Sequence, residues 1–206
     1  MAKLRLPLLS LEARGALGES IVFFPWKGIA CARKYVIPSN PQTQPQLTQR
    51  GYITDIVADI HLWQGLAANG LTADDITAYA IYSRTLGKTM TWFNAMVRQA
   101  VLQKVATLNY AGYVSGSVTP GVDSLGVAIT RYKEDGAVPD ISAGNFYYGT
   151  SPTALSSVEA GVLAGAEFTA TLAGLTTGIK YYCQFRATLA VEYIGTRSGI
   201  YSGVPI

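Results

Sequence analysis

One histidine, two cysteines and two pairs of neighbouring carboxylates are the residues of this 206-residue chain with chemistry beyond packing. His61 is the single histidine, so Ser–His or Cys–His catalysis would have one base to draw on, and no nucleophile motif accompanies it. It reads as a structural or surface residue beside an apolar stripe. Cys31 and Cys183 fall in opposite halves without a CxxC or CxxH neighbourhood, and both read as buried small hydrophobes. Asp74-Asp75 has the look of an acid or metal pair. However, Thr72 stands three residues before Asp75, and that capping-box spacing assigns the carboxylates to a helix start and its dipole. Asp55 and Asp59 lie one turn apart on an outward-leaning helix and read as solvated charge. Nothing marks the carboxylate pair that a glycosidase holds across a cleft. Val114-Ser-Gly-Ser-Val118 lacks the glycine that follows the serine of a nucleophile elbow, and neither a Walker loop nor a strand-borne GxGxxG occurs. The reading is a non-enzymatic protein with no cofactor and no metal.

Composition agrees with a packed chain. Hydrophobic residues make up 49% and charged residues 14%, enough apolar surface for a core and little enough charge to imply surface covered by neighbours. Residues 1–108 hold eleven Lys/Arg and six Asp/Glu, and residues 109–206 hold five and seven. This polarity would suit head-to-tail contact between copies or an acidic partner, although ordinary scatter also produces it. Pro7 and Glu12 interrupt the N-terminal apolar run, so no secretory signal is read, and no run approaches a bilayer span. The expectation is a soluble chain made in the cytoplasm, with no membrane partner.

The first half must position its candidate residues on a hairpin and helices. Ile21–Phe24 and Ile29–Ile37 are β-rich runs flanking Pro25-Trp26-Lys27-Gly28, a proline-then-glycine turn pattern that predicts a hairpin over 20–37. Pro38, Pro41 and Pro45 force an extended passage. Helical spacing then begins: Leu47, Ile53, Ile56, Val57, Ile60, Trp63 and Leu66 share one face of a helix over 44–67. A short helix follows the Thr72 cap, and a third is capped by Thr89 or Thr91, giving a small bundle. The basic residues Arg50, Arg84, Lys88, Arg98 and Lys104 are scattered, which disfavours a nucleic-acid partner.

From residue 110 the period becomes two. Strands are expected at 111–118, 125–132, 144–149, 166–172, 179–189 and 197–204, separated by Gly/Pro turn signals, the pattern of an antiparallel sandwich. Within it, Leu175-Thr-Thr-Gly178-Ile-Lys-Tyr181 followed by Cys183, Phe185 and Ala187 resembles the sixth-strand signature of fibronectin type III domains. There Tyr181 would be the corner tyrosine, its hydroxyl bonded back to the preceding turn. Leu125–Tyr132 lacks the tryptophan such domains often carry. Tyr147, Tyr148, Tyr193 and Tyr201 are candidate contact aromatics at an interface or sugar groove, with strand-face packing as the plainer account.

The fold class is therefore an α+β N-terminal domain, hairpin plus three-helix bundle, followed by an all-β fibronectin type III-like sandwich. The boundaries are an arm over 1–19, the hairpin and helices over 20–108, and the sandwich over 109–206. Trp26-Lys27-Gly28, then Arg33, then Asn40-Pro41-x-Thr43-x-x-Gln46-x-x-x-Arg50, with Gly15 and Gly18 before them, resemble an uncharacterised family of phage and prophage structural proteins over about 14–105. The resemblance implies a virion component in the head, neck or tail, whose partners are other virion proteins and copies of itself. A host-surface or glycan-binding module and a DNA-contacting protein are the alternatives. In that frame Asn40 or Thr43 caps the long helix, Gln46 and Arg50 fasten the hairpin, Trp26 packs on the bundle, and the apolar arm, with Leu4, Leu6, Leu8, Leu9 and Leu11, reaches a neighbouring subunit.

Overall fold

The computed structural model describes residues 2–3, 14–37, 39–40, 42–133, 136–189, 193 and 195–206. The leucines of the arm, Pro38 and Pro41 lie outside them. Among the described residues, three helices and antiparallel sheets make a mixed α+β protein that divides into two compact units, residues 1–43 and 44–206.

The first unit is one antiparallel sheet of β1 (Ala2–Lys3), β2 (Gly15–Leu17), β3 (Ile21–Trp26) and β4 (Ile29–Lys34), in the order β1-β4-β3-β2. The β3–β4 turn is tighter than the sequence suggests. Trp26 pairs with Ile29, leaving Lys27 and Gly28 as a two-residue loop with φ of 50° and 76°. Positive φ at both positions is the type I′ arrangement whose twist matches the flanking strands. Pro25 is therefore in the strand and not in the turn. It lies beyond the last β2 pair, Gly15 with Phe23, on the open side of β3, where its missing N–H costs no ladder bond.

The second unit begins with α1 (Gln44–Gly65), α2 (Ala73–Thr85) and α3 (Trp92–Val105). Pro45 falls in the first turn of α1, where a missing N–H is harmless. Thr72 and Thr91 cap α2 and α3, each accepting from the amide three residues on. Leu47 and Ile53, expected on the inner face of α1, are exposed; burial begins at Ile56 and continues through Ile60 and Trp63.

Two four-stranded antiparallel sheets follow. One runs β5 (Gly112–Gly121), β6 (Ser124–Tyr132), β10 (Glu167–Ala173), β9 (Val162–Ala164); the other runs β12 (Tyr201–Gly203), β11 (Tyr181–Leu189), β7 (Ala143–Gly149), β8 (Ser157–Ala160). Alternate side chains of both sheets meet in one core. Phe185 of β11 is its hub, with ring centroids at 4.5 Å from Phe168, 5.2 Å from Phe146 and 5.2 Å from Tyr113.

The expected boundary at 108/109 does not separate compact units; the division falls at 43/44. The reason is shared packing. The helical core takes in Tyr110, Val114, Tyr182 and Ile200 from the sheet region. Trp63 lies so close to Gly112 of β5 that an added Cβ there would sit 2.3 Å from its ring, and the indole Nε1 donates to the Lys133 carbonyl at 3.3 Å. Gly112→Ala is thus expected to lower stability by about 1–3 kcal/mol, the range for overpacking a filled site. Urea denaturation followed by Trp fluorescence and by far-UV circular dichroism should show one coincident transition at a lower midpoint.

Candidate functional site

The residues of the first-half motif sit mainly on the small sheet and at the start of α1. Alternation along β3 and β4 sends Val22, Phe24, Trp26, Ile29, Cys31 and Arg33 to one face and Ile21, Phe23, Pro25, Ala30, Ala32 and Lys34 to the other. Both faces are therefore largely apolar. Among the described residues of this unit only Cys31 is buried, at 4% exposure, and its thiol is free. Trp26, expected to pack, is 55% exposed, and Leu17, Ile21, Ile29, Val36 and Ile37 are exposed as well. The physical reason is the type I′ turn, which holds Trp26 at the closing pair of the loop. Arg33 is exposed and lies over the Phe24 ring at 5.4 Å. Asn40, Thr43, Gln46 and Arg50 are exposed, the last two on the opening turns of α1.

In the second unit the chemistry-bearing groups are turned inward. Asp75 has no exposed surface, and its carboxylate accepts five hydrogen bonds. Oδ2 takes the Thr72 amide at 2.7 Å, the Thr72 hydroxyl at 2.9 Å and the Ser115 amide at 2.7 Å. Oδ1 takes the Gly116 amide at 2.9 Å and the Tyr201 hydroxyl at 2.6 Å. Two adjacent amides are available because β5 bulges: pairing with β6 slips between Val114 and Ser117, and Ser115 adopts φ 53°. Successive amides in such a bend form an anion-binding nest, here filled by the chain's own carboxylate. Gly116 must be glycine, since an added Cβ would lie 2.2 Å from the Tyr201 ring.

A chain of hydroxyls continues inward from there. Tyr79 donates to the Tyr113 carbonyl at 3.0 Å, Tyr113 and Thr196 share a hydroxyl contact at 2.8 Å, and Thr196 donates to the Tyr193 carbonyl at 2.8 Å. Burial raises the Tyr79, Tyr113 and Tyr201 phenols above their usual range, and for Tyr79 and Tyr201 the Asp75 charge adds to the effect. Burial also pushes the Cys183 thiol up from 9.0 to about 12, so it is inert as a nucleophile.

Several expectations change. Asp59, read as solvated, is buried and accepts the Tyr110 hydroxyl; Asp55 is exposed. Tyr193 and Tyr201 are core residues and not contact aromatics, because their rings fill the sandwich core and Tyr201 is held by Asp75. Tyr147 and Tyr148 are half-buried; Tyr148 packs against the core and Tyr147 lies under Arg186. The Tyr181 hydroxyl accepts the Thr176 amide at 3.2 Å, bonding back to the turn before its strand. His61 is exposed and bonds Gln64 through Nδ1 at 2.9 Å. Arg131 is buried, donates to the Ile141 and Gly165 carbonyls and stacks on Phe168 at 4.8 Å. Among the described residues, no group of three or more His, Cys, Asp or Glu is placed to hold a metal, and no helix is long and apolar enough to cross a membrane.

Asp75→Asn is expected to cost about 3–5 kcal/mol, since an amide cannot accept all five donors and leaves buried N–H groups unpaired. Asp74→Asn, at an exposed position in the same helical turn, should cost less than about 1 kcal/mol; chemical denaturation of both variants checks the contrast. The raised phenols give a pH dependence of definite sign. Their stabilisation is complete below pH ~10, where the unfolded phenols are still protonated, and is lost above it, because the unfolded chain ionises first. Above pH ~10, stability should fall by about 1.4 kcal/mol per pH unit for each of the three phenols. Tyr79→Phe should remove one third of that slope in denaturant melts.

No family model matches the chain, and no curated protein matches it in sequence. Among solved structures, MtrC from Shewanella baltica OS185 aligns with a TM-score of 0.29 at 12% identity, over 54% of this chain. The aligned part spans 25% of that protein's chain.

Proposed function

We propose that this chain is a non-enzymatic structural component of a tailed-phage particle, in its head, neck or tail, that works by contact with copies of itself and with other virion proteins. The observation that carries the reading is the first unit. Its described residues form a single sheet layer with apolar side chains on both faces and one buried residue, Cys31, and so build no core among themselves. Exposed apolar surface of this kind is the mark of an interaction site. Lys27 adds to it. A lysine in the left-handed region is strained by about 1–2 kcal/mol where asparagine or glycine would sit more easily, as expected of a residue kept for what its side chain touches. The Trp-Lys-Gly and Asn-Pro-x-Thr-x-x-Gln resemblance supplies the virion setting.

We further infer that the sandwich is fibronectin type III-like. Supporting this are the two sheets ordered β5-β6-β10-β9 and β12-β11-β7-β8 and the Tyr181 bond to Thr176. The glycan-binding alternative is not favoured, because the four tyrosines named for it are buried or half-buried.

Sedimentation velocity of the full chain over a range of concentrations, with electron microscopy of the heaviest fraction, tests the assembly reading. The wild type should form concentration-dependent oligomers of defined shape. Trp26→Ser should raise the midpoint concentration by about thirtyfold, the size of an interface hot spot, without moving the thermal melt of the second unit. A wild type that stays monomeric at high concentration while residues 15–37 remain ordered would contradict it.

A further inference from the structure

Arg186 and Arg197 are directly opposite each other in an isolated antiparallel bridge on the β11 side of the sandwich. Like charges at such a spacing repel, and sheets usually separate them or interpose an acid. Here no carboxylate pairs with either one among the described residues; the contacts of Arg186 are aromatic and amide. Its guanidinium lies 4.3 Å over the Tyr147 ring, and its Nε donates to Gln184 Oε1 at 3.1 Å. Gln184 is itself 2% exposed and anchored by a bond from Nε2 to the Ser198 carbonyl at 2.9 Å. Arg197 is held at its backbone, where the carbonyl accepts Gln99 Nε2 at 2.8 Å. Both arginines are half-buried.

The guanidinium of Arg186 is thus fixed in orientation, stacked on one face, partly withdrawn from water and faced by a second cation. Such an arrangement costs stability when empty of counter-charge and is preorganised for a planar or tetrahedral oxyanion. With Nε used by Gln184, the Nη edge has no partner among the described residues. We propose that Arg186 and Arg197 together bind an oxyanion, a carboxylate or a phosphate group, over the Tyr147 ring. Burial and the neighbouring Arg197 charge both hold the Arg186 pKa below its ordinary value, while the Tyr147 and Tyr82 phenols act in the other direction. The inference stands on this cluster alone and does not depend on the virion reading.

The test is NMR of the intact chain, following the arginine Nε–Hε signals during titration with sodium phosphate and, separately, sodium acetate, at constant ionic strength. Saturable shifts of the Arg186 and Arg197 signals are expected. Arg197→Gln should weaken binding about tenfold or more, the loss of one charge-assisted hydrogen bond, and Arg197→Lys should restore part of it. Arg186→Gln should abolish saturation, and preserved amide dispersion in each variant would show that the fold is intact. Preference for phosphate would make the natural occupant a phosphate group, and equal or better response to acetate would make it a carboxylate. Linear shifts that never saturate, or equal shifts in Arg197→Gln, would overturn the proposal.

Discussion

The buried carboxylate of Asp75 is the interaction on which the second unit depends. Three separate segments converge on its two oxygens: the start of α2 and the bulge of β5 through backbone amides, and the last strand through the Tyr201 hydroxyl. Without the carboxylate, the bulge amides of Ser115 and Gly116 would be buried donors with nothing to bond. Without the bulge, Asp75 would be a buried charge with only its own cap and the Tyr201 hydroxyl. Neither side is tolerable alone, so the helix and the sheets hold each other in place. The left-handed Ser115 and the obligatory Gly116 are the local costs of that joint, and charge-assisted bonds of about 1.5–3 kcal/mol each offset them. The Ile200 amide on the Ala78 carbonyl, at 3.0 Å, and the close approach of Gly199 to α2 belong to the same contact.

That joint also explains which parts of the fold were legible in the sequence. Local signals were easy to read. Thr72 and Thr91 mark helix starts because a hydroxyl satisfies an amide only three residues away, and Phe146, Phe168 and Phe185 mark strands because alternation needs no distant partner. Long-range pairing left no such trace. Asp75 meets Tyr201 across 126 positions, and Asp59 meets Tyr110 across 51. A carboxylate whose partner is a distant tyrosine looks like surface charge in the sequence. The same blindness placed a domain boundary at 108/109, hid Tyr193 and Tyr201 among contact candidates, and left β8 and β9 unread. Those last two strands are short, wholly exposed edges whose side chains alternate with nothing. Pro25 misled for a local reason: a proline before Trp-Lys-Gly fits a turn, yet an open strand edge accepts it equally well.

The two units contrast in how they use polar and apolar groups. In the second, the acid, the phenols and the thiol are spent on structure and closed to solvent. In the first, the described apolar side chains are largely exposed, with Cys31 the one buried among them. Trp26, Ile29, Val36 and Ile37 are the exposed side chains on which the contact reading proposed above rests.

Hydrogen exchange followed by mass spectrometry on the full chain, compared between dilute monomer and assembled material, tests this account most directly. Amides of α2, β5 and β11 should be protected to the same global level in both samples, because the Asp75 joint opens only when the whole unit unfolds. Amides of residues 15–37 should exchange fast in the monomer and slow by at least about a hundredfold on assembly, as burial of an exposed sheet requires. Strong protection of residues 15–37 in the dilute monomer, unchanged by assembly, would contradict it.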